Sequence, residues 1–149
     1  MIWLPHVTVA ALVERDGRFL IVEEESDGKI VYNQPAGHLD EGESLIDAAQ
    51  RETWEETAWR FLPNAVLGVY RWQNPRNGHT YLRVCFTGEC TEHDPARTLD
   101  TGILRALWMT RDELRALSRQ LRSPMVLRCV DDYLAGKRYP LELLTELTG

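Results

Sequence analysis

The stretch from Gly37 to Trp59, GHLDEGESLIDAAQRETWEETAW, constrains this chain more than any other. Between Asp40 and Glu56 it holds seven carboxylates (Asp40, Glu41, Glu43, Asp47, Glu52, Glu55 and Glu56) against one cation, Arg51. That local balance of −6 equals the formal net charge of the whole protein, so acidic and basic residues cancel elsewhere. Charge this concentrated repels itself unless something compensates it.

The same stretch predicts a helix from about Ser44 to Thr57. Ser44 is a good N-cap, and Asp47 three residues on makes an approximate capping box with a shorter acid. At roughly 100° per residue, Leu45, Ala48 and Ala49 fall on one stripe, which continues as Glu52, Glu55 and Glu56. The inward face thus turns from apolar to anionic within one turn. Near a helix C-terminus each of these acids is opposed by the helix dipole, by ~0.3–1 kcal/mol. Glu52 and Glu56 also repel at i, i+4 by roughly 0.2–0.5 kcal/mol. A solvated ladder of Asp47, Arg51 and Glu55, with Glu56 paired to Arg60, is the competing reading. The placement of the acids on the apolar stripe, behind a Glu-Gly-Glu loop, favours a bound cation instead. Clustered hard oxygen ligands suit Mg²⁺ or Mn²⁺, and no His or Cys stands at ligand spacing beside them. The EF-hand spacing is not met, since counting from Asp40 puts Leu45 and Arg51 where glycine and glutamate are required.

At 149 residues the chain is long enough for one domain, 1–149, with its own core. No linker, repeat or low-complexity tract divides it. The mild acidity opposes broad binding to nucleic acid or anionic membrane, and no apolar run reaches the length of a membrane span. Three cysteines without a CxxC pair suit a reduced, cytoplasmic protein. Strands are expected at His6–Leu12, Arg18–Glu23 and Ile30–Tyr32, separated by Asp-Gly turns at Asp16-Gly17 and Asp27-Gly28. Further strands follow at Ala65–Trp72, Thr80–Gly88 and Ile103–Met109, with a polar loop from Cys90 to Thr101. Thr110 and Glu113 form a capping box that opens a short helix. Ser123 as N-cap and Pro124 at the first helical position start a last helix ending near Gly136. The order predicts an α/β or α+β sandwich with a mixed sheet between helices.

Gly37, Glu43 and the run Arg51-Glu52-Thr53-Trp54-Glu55-Glu56-Thr57-Ala58-Trp59, at these spacings, resemble the Nudix box of the Nudix hydrolases. PHVTVAALVE, NQPAGHLDEGES, YLRVCFTGE and RSPMVLRCVDDYLAGKRYPLELL extend the resemblance over most of the chain, toward the NudJ-type phosphatases of bacteria. The resemblance implies the Nudix fold, an α/β/α sandwich with a mixed sheet. It implies Glu52 and Glu56 as metal ligands, and Glu55 as a third ligand or the base that activates water. It further implies Arg51 orienting a glutamate, Glu43 holding Arg51 or the helix start, and the Gly37 carbonyl offered to the metal, Mg²⁺ or Mn²⁺. Two positions depart from the pattern. Ala58 replaces a helix-ending glycine, so that either the helix runs on or a different turn ends it. Thr53 stands where an aliphatic residue is usual.

The expected partner is a small nucleotide or pyrophosphate, bound by a monomer or homodimer. Tyr32 and Asn33 precede the box, Trp72 and Gln73 offer stacking and hydrogen bonds to a base, and Arg83, a mid-strand arginine among apolar residues, needs a partner such as phosphate or a structural acid. The leading expectation is a Mg²⁺-dependent phosphatase of nucleoside tri- and diphosphates that releases orthophosphate, with a hydroxymethylpyrimidine pyrophosphate as a further candidate substrate. A selective pyrophosphohydrolase for nucleotide-pool cleansing, nucleotide sugars or ADP-ribose is the alternative. A catalytically dead, nucleotide-sensing Nudix module is a third reading of a different class.

Overall fold

The computed structural model describes residues 1–148. Strands β1 (His6–Leu12), β2 (Glu14–Arg15), β3 (Arg18–Ser26), β4 (Lys29–Asn33) and β5 (Ala36–His38) precede helix α1 (Leu45–Thr57). Strands β6 (Trp59–Gln73), β7 (Thr80–His93) and β8 (Ile103–Met109) follow, then α2 (Arg111–Ala116) and α3 (Met125–Leu134). One four-stranded sheet runs β5-β1-β7-β6, mixed because β1 and β7 are parallel. The other is antiparallel, with β3 pairing β2, β4 and β8. The expected mixed sheet is present, and an antiparallel sheet stands beside it. Both Asp-Gly steps are tight turns with positive φ at both residues, as a hairpin that follows the strand twist requires.

Alternation along the strands divides the interior into two cores. Val9, Ala11, Val84 and Phe86 pack toward Ala48 and Ala49 of α1. Their neighbours Ala10, Leu12 and Cys85 pack toward Cys129 and Val130 of α3. Successive side chains on a strand point to opposite faces, so the central strands carry apolar residues on both. The result is a layered sandwich with α1 on one side and α3 on the other.

Several boundaries move from the sequence-based expectation. β6 begins at Trp59 rather than Ala65, and β7 continues to His93, through part of the expected loop. The two extensions pair with each other, Trp59 with His93 and Phe61 with Cys90, across register shifts that accommodate Pro63. Polar residues on a two-stranded ribbon leave little apolar signal, which is why the segment reads as loop. The last helix begins at Met125, with Pro124 as its cap at φ −60°, while Ser123 Oγ accepts from Met125 N–H at 3.1 Å. α1 ends at Thr57, and Ala58 takes the left-handed conformation, φ 59° and ψ 21°. The helix neither runs on nor ends differently: alanine adopts the conformation that favours glycine, against a cost of ~1–2 kcal/mol. Burial of its methyl and bonds from Ala58 N–H to Trp54 O (2.9 Å) and from Asp94 N–H to Ala58 O (3.0 Å) hold it there. Thr53 is fully buried, and its hydroxyl donates to Ala49 O at 2.7 Å, so its polar atom is satisfied inside the helix.

Candidate active site

Arg51 is the centre of a charged network on α1. Its guanidinium donates to both oxygens of Glu43 (3.0 and 2.6 Å), to Glu52 (2.6 Å), to Glu55 (2.9 Å) and to the His38 carbonyl (3.1 Å). Asp40 lies 3.3 Å away on the outer side. One cation thus gathers acids from the loop and the helix, and Glu43 also accepts from Asp40 N–H at 2.8 Å. The Arg51 guanidinium holds the Glu43 carboxyl below its ordinary value. Of the solvated-ladder alternative only the Arg51–Glu55 pair forms: Asp47 stays exposed, its N–H donating to the Ser44 cap, and Arg60 stacks on Trp54 at 3.8 Å instead of pairing with Glu56.

Glu52 and Glu56 face a cleft of about 650 Å³ that also contains Ala36, Gly37, Asn33 and Arg83. Gly37 lies against the Glu52 carboxylate so closely that an added Cβ would sit 2.1 Å from Glu52 Cδ. Glycine is required there for space and not for its dihedral freedom. Burial raises the Glu52 carboxyl, against the opposing pull of Arg51. Glu56 is more extreme: burial pushes it up to about 9, and Glu52, Glu24 and Asp100 push the same way. Its one hydrogen bond comes from Ala36 N–H at 3.0 Å, and no cationic side chain pairs with it among the described residues. A half-buried carboxylate so poorly compensated fits a divalent cation, as does an all-oxygen donor set beside it.

The structure adds an acid that the sequence reading missed. Carboxylate oxygens of Glu52, Glu55 and Asp100 lie within 4.8 Å of one another. Asp100 arrives on the loop between β7 and β8, which docks on the C-terminus of α1. Asp100 N–H donates to Glu55 O (3.0 Å), Arg97 Nε donates to Trp54 O (3.2 Å), and the Arg97 guanidinium lies over the Trp54 ring at 5.2 Å. The final turn of α1 has no basic residue of its own, so Arg60 and Arg97 bring positive charge to it from outside. No spacing rule links Asp100 to a helix more than forty positions earlier, and only the docked loop brings them together.

A sequence model of the NUDIX domain family matches residues 4–129. The chain belongs to the Nudix family. It is a hydrolase acting on phosphoanhydride bonds. The phosphatase NudJ of Escherichia coli K12 is 41% identical over 140 residues, covering 94% of this chain and 90% of the relative. A Nudix hydrolase from Nitrosomonas europaea superposes with a TM-score of 0.95 at 51% identity, covering 97% of this chain and 98% of that one. The Nudix domain of NrtR from Shewanella oneidensis, solved with ADP ribose, shares the fold at a TM-score of 0.70 and 17% identity, covering 91% and 90%.

Within this Nudix cleft the residues expected to touch substrate divide. Arg83, Asn33 and Trp72 line it, while Tyr32 and Gln73 do not. The Tyr32 hydroxyl donates to Glu23 at 2.7 Å, which fixes the ring outside the cleft; Gln73 is exposed at the end of β6. Strand alternation explains the split, because neighbours such as Tyr32 and Asn33 cannot share a face. Arg83 is 3% exposed and donates to Gln34 Oε1 (2.9 Å) and Asn33 Oδ1 (3.0 Å). No carboxylate pairs with it among the described residues, and its Nε lacks a partner.

Proposed function

We propose that this single Nudix domain is a Mg²⁺-dependent phosphatase of nucleoside tri- and diphosphates that releases orthophosphate, working in the cytoplasm as a monomer or homodimer. The observation that carries the reading is the opposition of charges within one cleft. Glu52, Glu56 and the Gly37 backbone lie on one wall, and the buried Arg83 guanidinium, without an acid of its own, lies in the same cavity. A diphosphate answers both needs, because its oxygens ligate a cation held by the glutamates and accept from Arg83.

Glu52 and Glu56 would hold the cation, with Gly37 O beside them, and Mn²⁺ would substitute for Mg²⁺. When bound, the ion lowers the pKa of its water and neutralises charge developing on phosphoryl oxygens. Arg51 keeps Glu52 and Glu55 oriented through its short bonds to both. Glu55, next to Asp100 and bonded to Arg51, is placed to take the proton of the attacking water or to complete the ligand set. Arg83 holds a phosphate oxygen while Asn33 and Gln34 fix its plane, and Trp72 offers a face for the base. Three free, buried cysteines accord with a reducing compartment, and among the described residues no helix is long and apolar enough to cross a membrane.

The test is a turnover screen with Mg²⁺ across nucleoside tri- and diphosphates, nucleotide sugars, ADP-ribose and hydroxymethylpyrimidine pyrophosphate, scoring orthophosphate and pyrophosphate separately. Successive orthophosphate release from nucleotides is the expected result. Release of pyrophosphate alone assigns the domain to the selective pyrophosphohydrolases. Binding without turnover assigns it to nucleotide sensing.

A further inference from the structure

We infer that Cys129 is a positioning residue for Arg83: its sulfur accepts from the guanidinium and fixes the group that the proposed reaction presents to phosphate. The effect on turnover rests on the phosphate role proposed above for Arg83, whereas the pairing itself does not. Arg83 and Cys85 stand two apart on β7 and project on one face, opposite to Val84. Val84 packs with α1, and Cys85 packs with Cys129 of α3. Arg83 Nη1 donates to Cys129 Sγ at 3.8 Å as well as to Gln34 Oε1 at 2.9 Å, and Nη2 donates to Asn33 Oδ1 at 3.0 Å.

The sulfur supplies what the two amides cannot. Arg83 is buried and no carboxylate pairs with it among the described residues, so neutral acceptors alone leave its charge uncompensated. Of its three acceptors only the sulfur can ionise. The surroundings favour that form. A bond from the Cys85 thiol lowers Cys129 below the ordinary thiol value against the opposing effect of burial, and Arg83 and the Tyr70 hydroxyl lower it further. The same bond pushes Cys85 up, and burial pushes Cys90 up to about 12. Asp132, on the same helix as Cys129, is already bound by Tyr70, Arg128 and Lys137.

The competing reading takes Cys129 as a small apolar residue of the core, where it packs in one cluster with Leu12, Ile21 and Leu67. The two readings rank the same substitutions in opposite order. Cys129→Ala keeps a small apolar group and removes the acceptor, whereas Cys129→Ser keeps an acceptor and buries a hydroxyl. For a packing residue alanine is the milder change. For a positioning residue serine is.

Kinetics and a substrate-free titration together distinguish them. With Mg²⁺ and ADP, Cys129→Ala should raise KM about three- to tenfold at unchanged kcat, and Cys129→Ser should recover most of that loss. Equal KM in Cys129→Ala and the parent, or a KM in Cys129→Ser no lower than in Cys129→Ala, overturns the positioning role. In the unliganded protein, ultraviolet thiolate absorbance should rise by one group across neutral pH, vanish in Cys129→Ser and move to higher pH in Arg83→Gln. NMR of the unmodified protein decides independently of any variant's folding: the Arg83 guanidinium signals should shift with the same midpoint. A thiolate titration identical with and without Arg83, or guanidinium signals that do not follow it, overturns the pairing. If the parent does not turn over ADP, the phosphatase reading fails by itself. The ADP dissociation constant then replaces KM, with the same order of variants expected and the same reversal overturning it.

Discussion

Asp132 and Glu56 are both enclosed carboxylates on helices, and their surroundings treat them in opposite ways. Asp132, 7% exposed on α3, borders a second cavity of about 360 Å³ formed with Val66–Tyr70 of β6. It accepts from Tyr70 OH (2.8 Å) and Arg128 Nε (3.1 Å) and pairs with Lys137 (3.2 Å). Burial raises its carboxyl, but the bonds from Tyr70, Lys137 and Arg128 outweigh that and bring it below the ordinary value. Glu56 has one backbone N–H and acids for neighbours, and rises to about 9. A carboxylate completed by protein groups is part of the architecture. One left incomplete in a cleft lacks the partner that a ligand would supply, which is the ground for proposing Glu56 as a cation ligand.

Four measurements sharpen or break that contrast. The largest effect expected is on turnover: Glu56→Gln should lower Mg²⁺-dependent kcat by on the order of a thousandfold, while Asp132→Asn leaves it within about twofold. Near-normal activity in Glu56→Gln would dissolve the distinction. Next, Arg83→Lys should raise KM for a nucleoside diphosphate by about ten- to hundredfold, since a point charge replaces a planar fork held by Asn33 and Gln34; a change in kcat alone would place Arg83 outside phosphate binding.

Third, Asp132→Asn should cost about 1–3 kcal/mol of stability in denaturant melts, because Tyr70, Arg128 and Lys137 lose an ionised acceptor. The smallest effect concerns pH in the metal-free protein. With its folded pKa raised above the unfolded value, Glu56 favours folding fully at low pH, and that contribution is lost as pH climbs from near 4.5 toward about 9. Thermal melts in chelator should therefore show Glu56→Gln matching the parent near pH 4 and exceeding it by a few degrees near pH 8. A variant less stable than the parent at pH 8 would mean that Glu56 is satisfied in a way its single hydrogen bond does not reveal.

Legibility from the sequence followed the range of the interactions. The Asp-Gly turns, the Ser44 and Thr110 caps and the Glu52–Glu55–Glu56 face depend on residues a few positions apart, where helix and turn geometry is nearly invariant. The roles of single residues around them were harder to read. Tyr32 is turned to Glu23, and Trp54, readable only as packing, carries the guanidinium groups of Arg60 and Arg97 over its ring. The Ala58 turn was unreadable because its cost is offset by the docking of Asp94, a residue remote in sequence.

By itself the sequence determined which acids form the charged helix face, because a 3.6-residue period places them together whatever surrounds them. Only the tertiary structure decided which acids are left incomplete. It set Glu56 half-buried against Ala36, carried Asp100 to Glu52 and Glu55, and left Arg83 inside the same cleft without an acid among the described residues. Solvation and long-range pairing set the energy of a charge, and neither exists until the sheets and the loops have closed around it.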